Sequence, residues 1–67
     1  MSEGFFIMRI LVIEDEKKVA AFIKRGLEQE SYAVDVVGDG VEGLHYAEMN
    51  QYDVIVLDIM LPKRSGL

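Results

Sequence analysis

Three acidic residues stand where two apolar runs of the chain end. Glu14 and Asp15 follow Arg9-Ile-Leu-Val-Ile13, and Asp58 follows Val54-Ile-Val-Leu57. Runs this short and this rich in β-branched residues read as strands buried on both faces rather than as helix. A carboxylate directly after a buried strand is costly unless the chain has just reached solvent, a cation or hydrogen-bond donors. Three carboxylates that converge repel one another and call for a cation. Oxygen ligands suit a hard ion such as Mg2+, typically held by one or two carboxylates with several waters. On this reading Asp15 and Asp58 are direct ligands, Glu14 acts through a water, and the backbone carbonyl of Met60 completes the protein's share. A carboxylate beside Mg2+ is also a competent nucleophile toward an activated phosphoryl group, which would form an acyl phosphate. A phosphoryl group of about −1.5 to −2 would then replace a single negative charge, a local change able to bias a two-state element.

Taken singly, each acid has an ordinary account. Glu14-Asp15-Glu16 suits the solvated, negatively charged first turn of a helix, and Asp58 suits an N-cap or a loop. Their joint placement at two strand ends of one α/β arrangement favours the chemical reading.

The elements that must position these acids follow from periodicity. After Glu16, residues Val19, Phe22, Ile23 and Leu27 fall on one stripe of an amphipathic helix, with Lys17, Lys18, Lys24, Arg25 and Glu28 on the solvated side. That helix is expected to stop near Glu30-Ser31. Tyr32 to Val37 reads as a second strand, and Val34 and Val36 flanking Asp35 mark it as an edge strand with one wetter face. Gly38-Asp39-Gly40 breaks the chain, and Asp39 with Glu42 three residues on forms a variant capping box. Val41, Leu44 and Ala47 are the expected apolar face of a second helix, which Gly43 weakens by roughly 1 kcal/mol relative to Ala. Val54 to Leu57 is the third strand. Strand, helix, strand, helix, strand implies parallel pairing with right-handed crossovers. The edge character of the second strand gives the spatial order 2-1-3, with one helix on each face and the topological switch point between strands 1 and 3. Glu14, Asp15 and Asp58 emerge there.

Bulk properties narrow the class. The chain has 67 residues, a net charge of −5 and no cysteine, so it holds one small domain at most and no disulfide. A chain of about 60 residues buries only ~60% of its unfolded surface. No apolar run approaches the ~20 residues of a membrane helix, and the first residues lack the basic region of a signal peptide. A cytoplasmic protein is the expectation. The acidic balance argues against direct nucleic-acid binding, which needs clustered Lys and Arg. Residues 1–7 read as a leader or extension with Met8 as a second start. Phe5, Phe6 and Ile7 read as a frayed terminus. The third strand has central character yet ends the pattern, so residues 8–67 read as part of a larger α/β domain whose Val54–Leu57 edge is open to pairing with another chain.

Three segments carry a family resemblance: Arg9-Ile-Leu-Val-Ile-Glu-Asp-Glu, Asp39-Gly-Val-Glu-Gly-Leu, and Tyr52-Asp-Val-Ile-Val-Leu-Asp-Ile-Met-Leu-Pro-Lys-Arg-Ser-Gly. With them the chain resembles the receiver domain of bacterial two-component response regulators, close to the winged-helix transcription-factor subfamily. The first helix is most similar to regulators of heavy-metal resistance. The resemblance implies a flavodoxin-like doubly wound parallel sheet of order 2-1-3-4-5, of which this chain carries the first βαβαβ half. It implies Asp58 as phosphoacceptor, Glu14 and Asp15 as the acidic metal pair, and Met60 as the carbonyl ligand. It also implies Mg2+, a sensor histidine kinase as donor, and a C-terminal DNA-binding domain. The family's switch Ser or Thr and its Lys, which follow later strands, have no counterpart here. A receiver is a phosphoacceptor rather than an enzyme. Two other classes compete with it. A structural fragment would self-associate through strand 54–57 without phosphotransfer, and a paired-aspartate phosphatase would want an Asp at position 60, which is Met.

The remaining candidates have blander readings. His45 is surface filling on the second helix, Met49 is core padding, Lys63 and Arg64 sit in a solvated loop, and Pro62 fixes the loop after Asp58. Tyr32 and Tyr52 flank strands with their hydroxyls toward solvent.

Overall fold

Three β-branched runs become strands and two periodic stretches become helices in the computed structural model, which describes residues 7–58. The order is β1 (Arg9–Glu14), α1 (Lys17–Gln29), β2 (Ala33–Val37), α2 (Gly40–Met49) and β3 (Val54–Asp58). The sheet is parallel and ordered β2-β1-β3, the expected 2-1-3 arrangement of a doubly wound α/β fold. Expectations for Phe5, Phe6, Met60, Pro62, Lys63 and Arg64 fall outside the described residues.

β1 is the buried centre, with Leu11 and Val12 wholly inaccessible. Alternate residues of the sheet serve opposite faces. Ile10, Val12 and Val34 pack with Val36, Val56 and the α1 residues Ile23 and Leu27. On the other face α2 lies against Ile13 and Val37 through Gly43, where an added Cβ would run into the Ile13 side chain. Gly43 thus weakens the helix but lets it sit close to the sheet.

Both amphipathic faces differ from expectation. α1 seats Ala20, Ile23 and Leu27 against the sheet, while Phe22 lies on the far side of the helix and is 76% exposed. Positions 20 and 22 lie roughly 200° apart around an α-helix, so a face built on Ala20, Ile23 and Leu27 leaves Phe22 toward solvent. In α2 the buried contact is Gly43, with Ala47 half-buried, whereas Val41, Leu44 and Met49 are exposed. Met49 is therefore not core padding. β3, expected to be buried on both faces, is half-buried at Val56 alone. Its outer edge has no paired strand among the described residues.

The element ends follow local chemistry. The Asp39 carboxylate accepts the Glu42 N–H at 2.8 Å, and Glu42 reaches back to the N–H of Gly38 at 3.3 Å. The capping box thus forms with its return bond one residue before the cap. Glu16 occupies the N-cap of α1 without capping it through its side chain. α1 ends on Ser31 in the left-handed region at φ 72°. The Tyr32 N–H then closes on the Leu27 carbonyl and the Ser31 N–H on that of Glu28, the bonding pattern that usually places Gly at this position. The Tyr52 hydroxyl, expected to face solvent, donates to Asp35 Oδ2 at 2.6 Å. Burial and that bond push the phenol up to about 12. His45 is exposed, as expected.

Candidate functional site

Parallel pairing sends β1 and β3 to the same edge of the sheet, and the register sets Glu14 directly beside Asp58. Even-numbered residues of β1 and β3 face α1, so the two carboxyls emerge on one face. Glu14 is only 3% exposed, the sole buried charged residue of the described chain. Its Oε2 accepts the Glu16 N–H at 2.9 Å, which shapes the turn into α1. Its buried Oε1 has no donor.

The electrostatics follow from that orphaned oxygen. The adjoining Asp58 carboxyl is the first cause that pushes the Glu14 carboxyl above its usual range. The Glu16 N–H opposes this, and burial and the charges of Asp58 and Asp15 add to it. Two neighbouring carboxylates of like charge compete for a proton because neither supplies a donor. A divalent cation is the other way to satisfy the same oxygens.

Asp15 and Asp58 are exposed and line one recess of about 300 Å3 with Ile13, Gly38, Asp39, Gly40 and Leu57. Among the described residues no three acidic or histidine side chains are gathered tightly enough to ligate one ion. Glu14 meets Asp58, Asp15 borders the recess with Asp58, and Met60 lies outside the described residues. The donor set nevertheless fits a hard cation, since it is all oxygen, carries one orphaned buried carboxylate atom and opens to solvent at Asp58. Sequence reasoning missed the contribution of Gly38–Gly40 to the wall. The available signal was that this turn also leaves the C-terminal end of a strand, where ligands bind in parallel sheets.

No helix among the described residues is long and apolar enough to cross a membrane. Residues 10–67 match the family model of the response regulator receiver domain. The chain is 49% identical over 59 residues to the transcriptional activator protein IrlR of Burkholderia pseudomallei (strain 1026b), covering 88% of this chain and 26% of that protein. It is 53% identical over 60 residues to the transcriptional regulatory protein DltR of Streptococcus agalactiae serotype III (strain NEM316), covering 90% and 27% respectively. It is 42% identical over 59 residues to the transcriptional regulatory protein CusR of Escherichia coli (strain K12), covering 88% and 26%. The chain thus spans about a quarter of the length of these relatives.

Proposed function

Because the chain belongs to the response regulator receiver family, we propose that Asp58 is its phosphoacceptor and that Glu14, Asp15, Asp58 and the Met60 carbonyl hold Mg2+ beside it. The observation that carries this reading is the pairing of the orphaned, buried Glu14 oxygen with the exposed Asp58 carboxylate at one strand edge. A sensor histidine kinase is the donor. An Asp58 carboxylate oxygen attacks phosphorus, a P–O bond forms, the donor's P–N bond breaks, and the departing imidazole takes up a proton. Mg2+, when bound, offsets the negative charge on the transferring oxygens. Glu14 would face the metal from the buried side of the site, Asp15 would face it from the recess wall, and the accessible Asp58 admits the donor. In a longer protein of the relatives' kind, the change at Asp58 would control a C-terminal DNA-binding domain in the cytoplasm. The reading makes the module a signal acceptor without turnover of its own. Titration calorimetry is the test. Mg2+ binding heat is expected in the unmodified chain and none in Asp58→Ala, and equal affinity in the two would rule the site out.

A second reading concerns this chain alone and rests on β3. Val54, Ile55 and Leu57 are 40%, 49% and 58% exposed beside a strand edge that no strand pairs among the described residues. Such an edge is a template for pairing, so this chain self-associates through residues 54–57. Sedimentation is expected to show a concentration-dependent oligomer that Ile55→Lys disperses. A monomer throughout the concentration range overturns self-association and leaves the phosphoacceptor reading in place.

A further inference from the structure

Glycine is the poorest helix former after proline, yet Gly43 is the buried residue of α2. What lies beneath the helix accounts for it. A Cβ at this position would run into the Ile13 δ-methyl, lie 3.0 Å from Ile13 Cγ1 and stand 3.7 Å from Val37 Cγ2. The Ile13 side chain thus fills the space that any larger residue at position 43 would claim.

Ile13 has a second boundary. The preceding residues of β1, Ile10 to Val12, are buried, but Ile13 is only half-buried. It lines the recess beside Asp58, together with Leu57 and the Gly38–Gly40 turn. One side chain therefore lies under α2 and also forms part of the wall of the acceptor's recess.

A residue with a Cβ at position 43 leaves Ile13 few ways out. Leu11, two residues back on the same face, is wholly inaccessible, and Val37, the register partner of Ile13 on β2, is nearly so. An interior packed this closely has no void to receive a displaced methyl. The helix is held as well. The Gly43 N–H donates to the Asp39 carbonyl at 2.9 Å, and the Glu42 N–H donates to the Asp39 carboxylate at 2.8 Å. Lifting position 43 drags this capped turn away from the sheet, whereas Ile13 needs only a rotation about its side-chain bonds. The δ-methyl then swings toward Leu57, its partner on β3, and into the recess. The constraint is set by β1, β2 and α2, independently of what lies beyond β3.

We propose that Gly43 keeps the Ile13 side chain under α2 and thereby sets how large a phosphodonor reaches Asp58, an inference resting on the reading of Asp58 as phosphoacceptor. A donor that enters the recess sets its leaving group beside Ile13 while an Asp58 oxygen attacks phosphorus. Attack on acetyl phosphate breaks a P–O bond and releases acetate. Attack on phosphoramidate breaks a P–N bond and releases ammonia, the nitrogen having taken up a proton. Acetate is bulky enough to meet a displaced Ile13 methyl, and a lone nitrogen is not.

The test compares Gly43→Ala, the double variant Ile13→Val/Gly43→Ala, and Gly26→Ala, whose added Cβ meets nothing within 4 Å and controls for helix propensity. Labelling of the 67-residue chain with Mg2+ is timed by intact mass for each donor. Nuclear Overhauser contacts of the Ile13 δ-methyl are mapped in parallel. Gly43→Ala is expected to lose about tenfold or more in rate with acetyl phosphate, the value of one methylene in a pocket, and much less with phosphoramidate. Its Ile13 δ-methyl exchanges contact with residue 43 for contacts with Leu57 and Gly40. The double variant is expected to restore the ratio between donors, and Gly26→Ala to keep it. An Ile13 methyl that stays at position 43, or an unchanged donor ratio in Gly43→Ala, overturns the proposal. If Gly43→Ala does not fold, a folded double variant with the unmutated chain's donor ratio supports it. A double variant that is unfolded or has an altered ratio overturns it. If the unmutated chain takes no phosphoryl group from either donor, the phosphoacceptor reading fails, and the methyl contacts alone then support or overturn the packing of Ile13 by Gly43.

Discussion

Incubated with acetyl phosphate and Mg2+, the chain is expected to gain the mass of one phosphoryl group, and Asp58→Asn is expected to gain none. The effect is all-or-none because the substitution removes the nucleophilic oxygen while keeping its size. Glu14 is buried, and on the proposed reading Asp15 is engaged with the metal. Omitting Mg2+ should suppress labelling as well, since the charge on the transferring oxygens is then not offset in a site already crowded with carboxylates. Glu14→Gln is expected to label more slowly. A residue acting on the metal through water typically changes metal affinity by about 10–100-fold, so raising Mg2+ should recover part of its rate. Labelling of Asp58→Asn at the rate of the unmutated chain would eliminate Asp58 as the acceptor.

Glu14→Gln is expected to make the metal-free chain more stable at neutral pH while weakening its response to Mg2+. The sign follows from the raised Glu14 pKa, caused first by the adjoining Asp58 carboxyl. Between its unfolded and folded values, the native state binds more protons than the unfolded chain, so stability falls with rising pH in that window. Stability from protonated Glu14 is therefore complete below the ordinary glutamate value of 4.5 and lost as pH rises through the higher folded value. An amide at position 14 donates to Asp58 at every pH, so the variant should lack this decline. Thermal unfolding followed by circular dichroism in chelator, from acid to neutral pH, gives the comparison, and titrations common to both chains cancel in the difference. Mg2+ at a hundred times its Kd should stabilise the unmutated chain by about 2.7 kcal/mol and the variant by clearly less. Identical pH profiles for the two chains would show that Glu14 and Asp58 share no proton.

Much of this was legible in the sequence because it depends on short-range patterns. The β-branched runs of β1 and β3, the period change at Lys17 and the Asp39–Glu42 cap specify strand, helix and helix start from neighbours within a turn or two. Their alternation leads to the parallel order 2-1-3, and with it to Glu14 and Asp58 emerging at one switch point. The acids were recognisable as a candidate site because a charge after an apolar run needs a reason.

What the tertiary structure alone decided is how close things come. Periodicity allows a stripe through Val19 and Phe22 or one through Ala20, both sharing Ile23 and Leu27, and only the docking of α1 on the sheet buries Ala20 and leaves Phe22 outward. Propensity counts Gly43 as a weakness, whereas its missing Cβ is what brings α2 down onto Ile13. Left-handed Ser31 and the Tyr52–Asp35 bond carry no pattern of their own, since one depends on how a helix end is closed and the other joins residues 17 positions apart. The same holds for the burial of Glu14. Its identity is local, but its unpaired oxygen and raised pKa exist only once β3 is laid beside β1 in one register, because electrostatic coupling falls off over a few ångströms and sequence spacing does not measure that distance.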